Sequence, residues 1–130
     1  MPPIICGIDP GLQGAIAFLN SKGKLMSIED IPTIAVKKGK STKMQYLIPA
    51  LAQIFRLRAR PGAKDLFVAL EFVHAMPEQG VTSMFRMGRG VGIIEGILAA
   101  LEIPYCTVAP QTWKRALIGV GATIASGSQK

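Results

Sequence analysis

Two short apolar runs flank a tight turn in residues 4–19, IICGIDPGLQGAIAFL. The first run, Ile4 to Ile8, is continuously apolar, which is typical of a strand buried on both faces of a sheet. The Pro-Gly pair after Asp9 lets the chain turn sharply, and a second strand, Ala15 to Leu19, returns from it. Asp9 is therefore predicted to stand at the carboxyl end of a central strand.

The rest of the sequence extends this start into an α/β domain. Pro32 to Lys40 is interpreted as a basic loop, and Ser41 or Thr42 as the cap of a helix that starts late or kinks at Pro49. The predicted strands are Ile4–Ile8, Ala15–Leu19, Leu25–Ile31, Leu66–Leu70 and Pro104–Val108, and the two later helices are Val81–Leu101 and Pro110–Leu117. The order β-β-β-α-β-α-β-α predicts a mixed five-stranded sheet with helices on both faces.

The long predicted helix carries a ridge of glycines, Gly88, Gly92 and Gly96, each four residues from the last. Glycine inside a helix costs about 0.8–1 kcal/mol relative to alanine. The ridge therefore predicts the close approach of another backbone, which is either the sheet of the same chain or a partner subunit.

Charge favours a polyanionic partner. Fifteen Lys and Arg residues oppose eight acids, for a formal charge of +7, and they cluster in 37–43, 56–60 and 114–115. This balance is typical of nucleic-acid binding, with ordinary solubility charge as the alternative. No apolar run reaches the roughly 20 residues that span a bilayer, and the amino terminus lacks the features of a signal peptide. A cytoplasmic protein without a membrane partner is expected, and Cys6 and Cys106 are predicted to be buried thiols.

Two carboxylates end predicted strands. Asp9 ends the first run and Glu71 the fourth, so parallel neighbouring strands would bring them to one edge, about 4.8 Å between strands. Carboxylates this close repel each other unless a cation lies between them, and hard oxygen ligands suit Mg²⁺ or Mn²⁺. Paired ions there would activate water against a phosphodiester. The alternative is that Asp9 caps a turn and Glu71 meets water.

Three segments carry a family resemblance: GIDPGLQGAIAF (7–18), VALEFVHAMPEQGVTSMFRMGRGVG (68–92) and PQTWKRALIG (110–119). Together they resemble RuvC-type Holliday junction resolvases of the phage and prophage branch, over nearly the whole chain. The resemblance implies a single RNase H-like nuclease domain over residues 1–130, a homodimer, and magnesium-dependent symmetrical cutting of four-way DNA junctions. It also implies that Asp9 and Glu71 are the first two catalytic ligands.

The chain departs from the family in its acids. The family takes its last one or two carboxylates from a helix after WKRALIG, whereas no acidic residue follows Glu102 here. We interpret the domain as truncated at its carboxyl terminus, with a naturally short protein that does not cut as the alternative. His74 and Glu78 are auxiliary ligand candidates, with ordinary loop residues as the alternative for both. Two other hypotheses stay open: a protein of this fold that binds branched DNA without cutting it, and a fragment of a sugar-kinase or actin-like ATPase.

Basic and apolar side chains near the acids suit DNA. Phosphate contacts are predicted for Arg86, Arg89, Lys114 and Arg115. Wedging or stacking against exposed bases is predicted for Phe72, Met76 and Phe85. The alternatives are solvated charge for the first set and core packing for the second.

Overall fold

One mixed sheet organises the chain, which the computed structural model describes at residues 3–59, 65–72, 78 and 80–112. The elements are β1 (Ile4–Ile8), β2 (Ala15–Leu19), β3 (Leu25–Asp30), β4 (Thr33–Lys38), β5 (Ser41–Tyr46), α1 (Ile48–Arg58), β6 (Leu66–Glu71), α2 (Val81–Ala100) and β7 (Tyr105–Val108). Five strands pair in the order β3-β2-β1-β6-β7, with β1, β2 and β3 antiparallel and β6 parallel to both β1 and β7. The predicted mixed five-stranded α/β sheet is confirmed.

The β4–β5 hairpin was not predicted, and it forms a separate two-stranded sheet. The expected loop over Pro32 to Lys40 and the expected helix cap at Ser41 or Thr42 are both wrong, because those residues pair with each other from Lys38↔Ser41 to Thr33↔Tyr46. The helix begins only at Ile48, with Pro49 in its first turn, where a missing backbone N–H costs nothing. The late start was one of the two outcomes that Pro49 predicted.

The core lies on one face of the sheet. Alternate residues of β1, β2 and β6 are buried there, which follows from the two-residue period of a strand. The buried apolar side chains from the five-stranded sheet and the two helices are Cys6, Ile8, Ile16, Phe18, Leu66, Val68, Leu70, Leu51, Phe55, Val91, Ile94 and Leu98. Because α1 and α2 contribute to one cluster, both helices cover the same face.

The opposite face carries exposed apolar side chains, among them Ile5, Ile28 and Phe67. The prediction that the strand Ile4–Ile8 is buried on both faces is therefore wrong, since Ile5 is 40% exposed. Residues 110–112 of the expected helix Pro110–Leu117 are helical, and the rest of it lies outside the described residues. Helices on the second face therefore stay a prediction.

Glycines of α2 fall into two groups. Gly88, Gly92 and Gly96 are exposed, and a Cβ at any of them would meet no described atom within 4 Å. The alternative that the ridge packs on this chain's own sheet is thus wrong for the described residues, and a partner subunit stays a prediction. Gly90 is the glycine that allows close approach, since a Cβ there would lie 2.7 Å from the Tyr46 hydroxyl oxygen.

Cys6 and Cys106 are both free thiols, but only Cys6 is buried. The predicted burial of Cys106 is wrong, because the register of β7 pairs it with Ala69, and that parity of the sheet belongs to the open face. Burial raises the pKa of the Cys6 thiol to about 12. No helix within the described ranges is long and apolar enough to span a membrane.

Candidate metal site and nucleic-acid groove

The register of the two central strands brings the predicted carboxylates together. Ile8 pairs with Leu70 in the parallel β1–β6 ladder, so Asp9 and Glu71 follow side by side at the same edge. Adjacent strands lie about 4.8 Å apart. Asp9 is exposed and Glu71 half-buried, so both can be reached from solvent. The expectation that β1 and β6 are parallel neighbours is confirmed.

The Asp9 loop is held by short-range hydrogen bonds. The Asp9 backbone N–H donates to the carbonyl oxygen of Ala15 at 3.0 Å, and the Gly14 N–H donates to that of Gly11 at 2.8 Å. The Gly11 N–H also donates to Asp9 Oδ1 at 3.2 Å. A Cβ at Gly14 would lie 2.8 Å from the Gly11 carbonyl oxygen and 2.9 Å from the Asp9 carbonyl carbon, so glycine is required there.

Tyr46 ties this loop to the hairpin and to α2. Its buried hydroxyl donates to the carbonyl oxygen of Pro10, and its ring lies against Gly90. Burial, with a smaller effect from the Asp9 charge, raises the pKa of Tyr46 to about 12. Tyr46 belongs to no sequence motif, and its role depends on a hairpin that the sequence pattern did not predict.

A groove of about 860 Å³ opens beside Asp9. Its walls are the loop 9–13, residues 43–46 of β5, and one flank of α2. Four cations line it, Lys38, Lys43, Arg86 and Arg89, together with the Asp9 carboxylate. The groove therefore combines a metal-type ligand with a surface suited to polyanions.

The other predicted site residues are distributed as follows. Phe85 is 70% exposed and lines the groove, whereas Phe72 packs against the core, which is the alternative stated for it. Glu78 is exposed. His74, Met76, Lys114 and Arg115 lie outside the described residues.

Two hard oxygen ligands are what the described residues offer an ion. Asp9 and Glu71 fit Mg²⁺ or Mn²⁺ in donor type, but no group of three His, Cys, Asp or Glu residues gathers within the described ranges. Glu95 is engaged elsewhere, since its carboxylate accepts a 2.7 Å hydrogen bond from the Tyr105 hydroxyl between α2 and β7. Within the described ranges, the sheet edge at Asp9 therefore has two neighbouring carboxylates and no third.

The architecture is similar to that of a known nucleic-acid protein. T. thermophilus RuvC in complex with Holliday junction substrate superposes with a TM-score of 0.57 and 17% identity, over 88% of this chain and 69% of that chain. The chain has a RuvC-like fold. A second Thermus thermophilus RuvC structure gives a TM-score of 0.45 and 16% identity, over 89% of this chain and 69% of that one. No protein-family model matches the chain, and neither does any curated protein.

The RuvC-like architecture confirms the predicted RNase H-like α/β fold. Identity of 17% establishes the fold alone. Membership of the phage and prophage branch stays a prediction, as does the truncated carboxyl terminus.

Proposed function

We propose that this chain is a divalent-metal-dependent, structure-selective DNA endonuclease that resolves four-way junctions. The observation that carries the proposal is the Ile8↔Leu70 register, which sets Asp9 beside Glu71 at one edge of the sheet. Asp9 also lines the groove that carries four cations. Support also comes from the RuvC-like fold, because T. thermophilus RuvC has been captured with a Holliday junction substrate.

The residues divide the chemistry between them. Asp9 and Glu71 would hold Mg²⁺ or Mn²⁺ by their carboxylate oxygens. Such an ion, when bound, supplies activation of a water molecule and neutralisation of charge on the phosphodiester. Arg86 and Arg89 position the DNA backbone without reading its sequence. Tyr46 keeps the Asp9 loop in place through its hydrogen bond to Pro10.

Cleavage of an end-labelled synthetic four-way junction in Mg²⁺ or Mn²⁺ tests this function. Paired symmetrical nicks are expected from the wild type and not from Asp9→Asn or Glu71→Gln. Glu102→Gln is the matched control, because Glu102 is an exposed acid before β7, at the opposite edge of the sheet. Cleavage that survives in both Asp9→Asn and Glu71→Gln would refute the site.

A second function has its own support. A protein of this fold that binds branched DNA without cutting it is favoured by the presence of only two neighbouring carboxylates in the described part of the chain. Tight junction binding without nicks in either metal would establish this alternative. A chain that neither binds nor cuts the junction would rule out both DNA functions.

We also propose that the protein acts as a homodimer through the outward side of α2. Gly88, Gly92 and Gly96 leave that side open, and Val81, about two turns before Gly88 on the same side of the helix, is 79% exposed. A second helix lying there would bury this surface and offset the cost of helical glycine. The expected result is a dimer by light scattering that Gly92→Leu converts to monomer, whereas Gln53→Leu, on the exposed side of α1, does not. A monomeric wild type at micromolar concentration contradicts the proposal.

A further inference from the structure

The β4–β5 hairpin forms a two-stranded sheet separate from the main sheet, and it contacts the Asp9 loop only at its base, through Tyr46. Four lysines, Lys37, Lys38, Lys40 and Lys43, lie on it or at its turn, and all four are exposed. A two-stranded hairpin is marginally stable by itself, so one kept outside the sheet and densely charged calls for a function of its own.

The pairing of the strands separates these lysines into two groups. Lys43 pairs with Val36, and Lys38 is two residues from Val36, so Lys38 and Lys43 share one face. Lys37, which pairs with Thr42, is on the other face. Only Lys38 and Lys43 line the groove, together with Arg86 and Arg89 of α2. The groove is therefore basic on both of its long walls.

Apolar side chains also line the groove. Met44, which follows Lys43 in β5 and so belongs to the opposite face of the hairpin, is 45% exposed, and Phe85 on α2 is 70% exposed. An intact duplex presents phosphates outward and keeps its bases stacked inside, so its bases cannot contact these apolar side chains. An unpaired strand offers phosphates to the cations and unstacked bases to the apolar side chains.

The base of the hairpin is fixed to the Asp9 loop. Tyr46, the last residue of β5, donates its hydroxyl hydrogen bond to Pro10, and the Leu47 N–H donates to the Pro32 carbonyl oxygen at 2.9 Å. A DNA strand bound to the hairpin would therefore be held at a fixed position relative to Asp9.

We propose that the β4–β5 hairpin and the flank of α2 form a clamp for a single unpaired DNA strand, with Lys38 and Lys43 as phosphate contacts and Met44 as a base contact. The proposal rests on the DNA function given above and names the element that delivers the strand to Asp9. In a branched substrate, the unpaired strand would come from the branch point.

The test measures binding of a fluorescein-labelled 20-mer oligothymidylate by anisotropy across a salt series, in the full chain. Lys38→Gln/Lys43→Gln is compared with Lys37→Gln/Lys40→Gln, which removes the same charge from the same hairpin outside the groove. The first pair is expected to weaken binding about tenfold and to reduce the salt slope by about 1.4, at about 0.7 per lost single-strand phosphate contact. The second pair is expected to leave both near wild type. Met44→Gln is expected to weaken binding without changing the slope.

Each contrary result overturns a defined part of the inference. Equal losses in the two lysine pairs would show general attraction rather than a clamp. Duplex DNA of matched length binding as tightly as the oligothymidylate would overturn the unpaired-strand assignment. If Lys38→Gln/Lys43→Gln cleaves the junction and binds the oligothymidylate as well as the wild type does, the clamp is refuted and the nuclease function stands. A wild type that binds no DNA overturns both.

Discussion

Replacing Gly14 by alanine should reduce the stability of the protein and disturb the Asp9 loop of the proposed metal site. The added Cβ would collide first with the Asp9 carbonyl oxygen, and it would also lie 2.8 Å from the Gly11 carbonyl oxygen and 2.9 Å from the Asp9 carbonyl carbon. Optimal separations between such atoms are about 3.5–4.0 Å, so the backbone must shift by more than about half an ångström. Overpacking of this kind costs about 1–3 kcal/mol. The shift also strains the hydrogen bonds from Asp9 to Ala15 and from Gly14 to Gly11, each worth about 1 kcal/mol.

Together these costs predict a loss of about 3 kcal/mol in the free energy of unfolding for Gly14→Ala. With a urea m-value of about 2 kcal/mol/M, the unfolding midpoint should fall by about 1.5 M. Gly7→Ala is the matched control, because a Cβ at Gly7 in β1 meets no described atom within 4 Å. That variant should be unchanged or more stable by about 0.5–1 kcal/mol. A Gly14→Ala midpoint equal to that of the wild type would refute the reasoning.

Three further predictions concern single side chains. The pKa of Tyr46, raised to about 12 by burial and the charge of Asp9, favours the protonated phenol in the folded state. Its contribution is therefore complete below pH 10 and is lost at about 1.4 kcal/mol per pH unit towards pH 12, so urea midpoints of wild type should fall faster than those of Tyr46→Phe over that range. Cys106 is exposed and Cys6 buried, so a thiol reagent should titrate one thiol quickly in native protein and two in guanidinium, and Cys106→Ser should abolish the fast reaction. The Arg58 guanidinium lies 4.4 Å from the centroid of the Phe18 ring and 3.4 Å from the Glu29 carboxylate of β3. Arg58→Ala should therefore lower the free energy of unfolding in urea by about 1–2 kcal/mol. An unchanged unfolding midpoint would contradict this.

The sequence predicted the main sheet well, because its strands are short apolar runs bounded by turn residues. Ile4 to Ile8 and Ala15 to Leu19 have the predicted limits, and α2 differs from its prediction by one residue. The juxtaposition of Asp9 with Glu71 followed from strand-end logic alone, because neighbouring parallel strands finish at the same edge. The positions of the strand ends could not predict the contact between Tyr46 and the Asp9 loop.

The hairpin was not predicted because its many lysines are typical of a solvated loop rather than of strands. The lysines of 37–43 indicated a solvated loop, and Ser41 with Thr42 indicated a helix cap. Thr33 to Val36 contains β-branched residues, followed by Gly39 at a positive φ of 62° in the turn. That pattern is typical of a hairpin, and it was the available signal. Burial on both faces was also wrong, since apolar composition indicates what a strand can bury but not whether the same chain covers it.

Paramagnetic broadening by Mn²⁺ tests the central claim that the β1 and β6 ends together hold a divalent ion. In a ¹⁵N-labelled sample with Mn²⁺ well below the protein concentration, the amide signals of Gly11 and Phe72 should disappear first, while that of Glu102 persists. Asp9→Asn should abolish this selectivity. Uniform broadening across the spectrum, or broadening centred away from the Asp9 and Glu71 edge, would contradict the site.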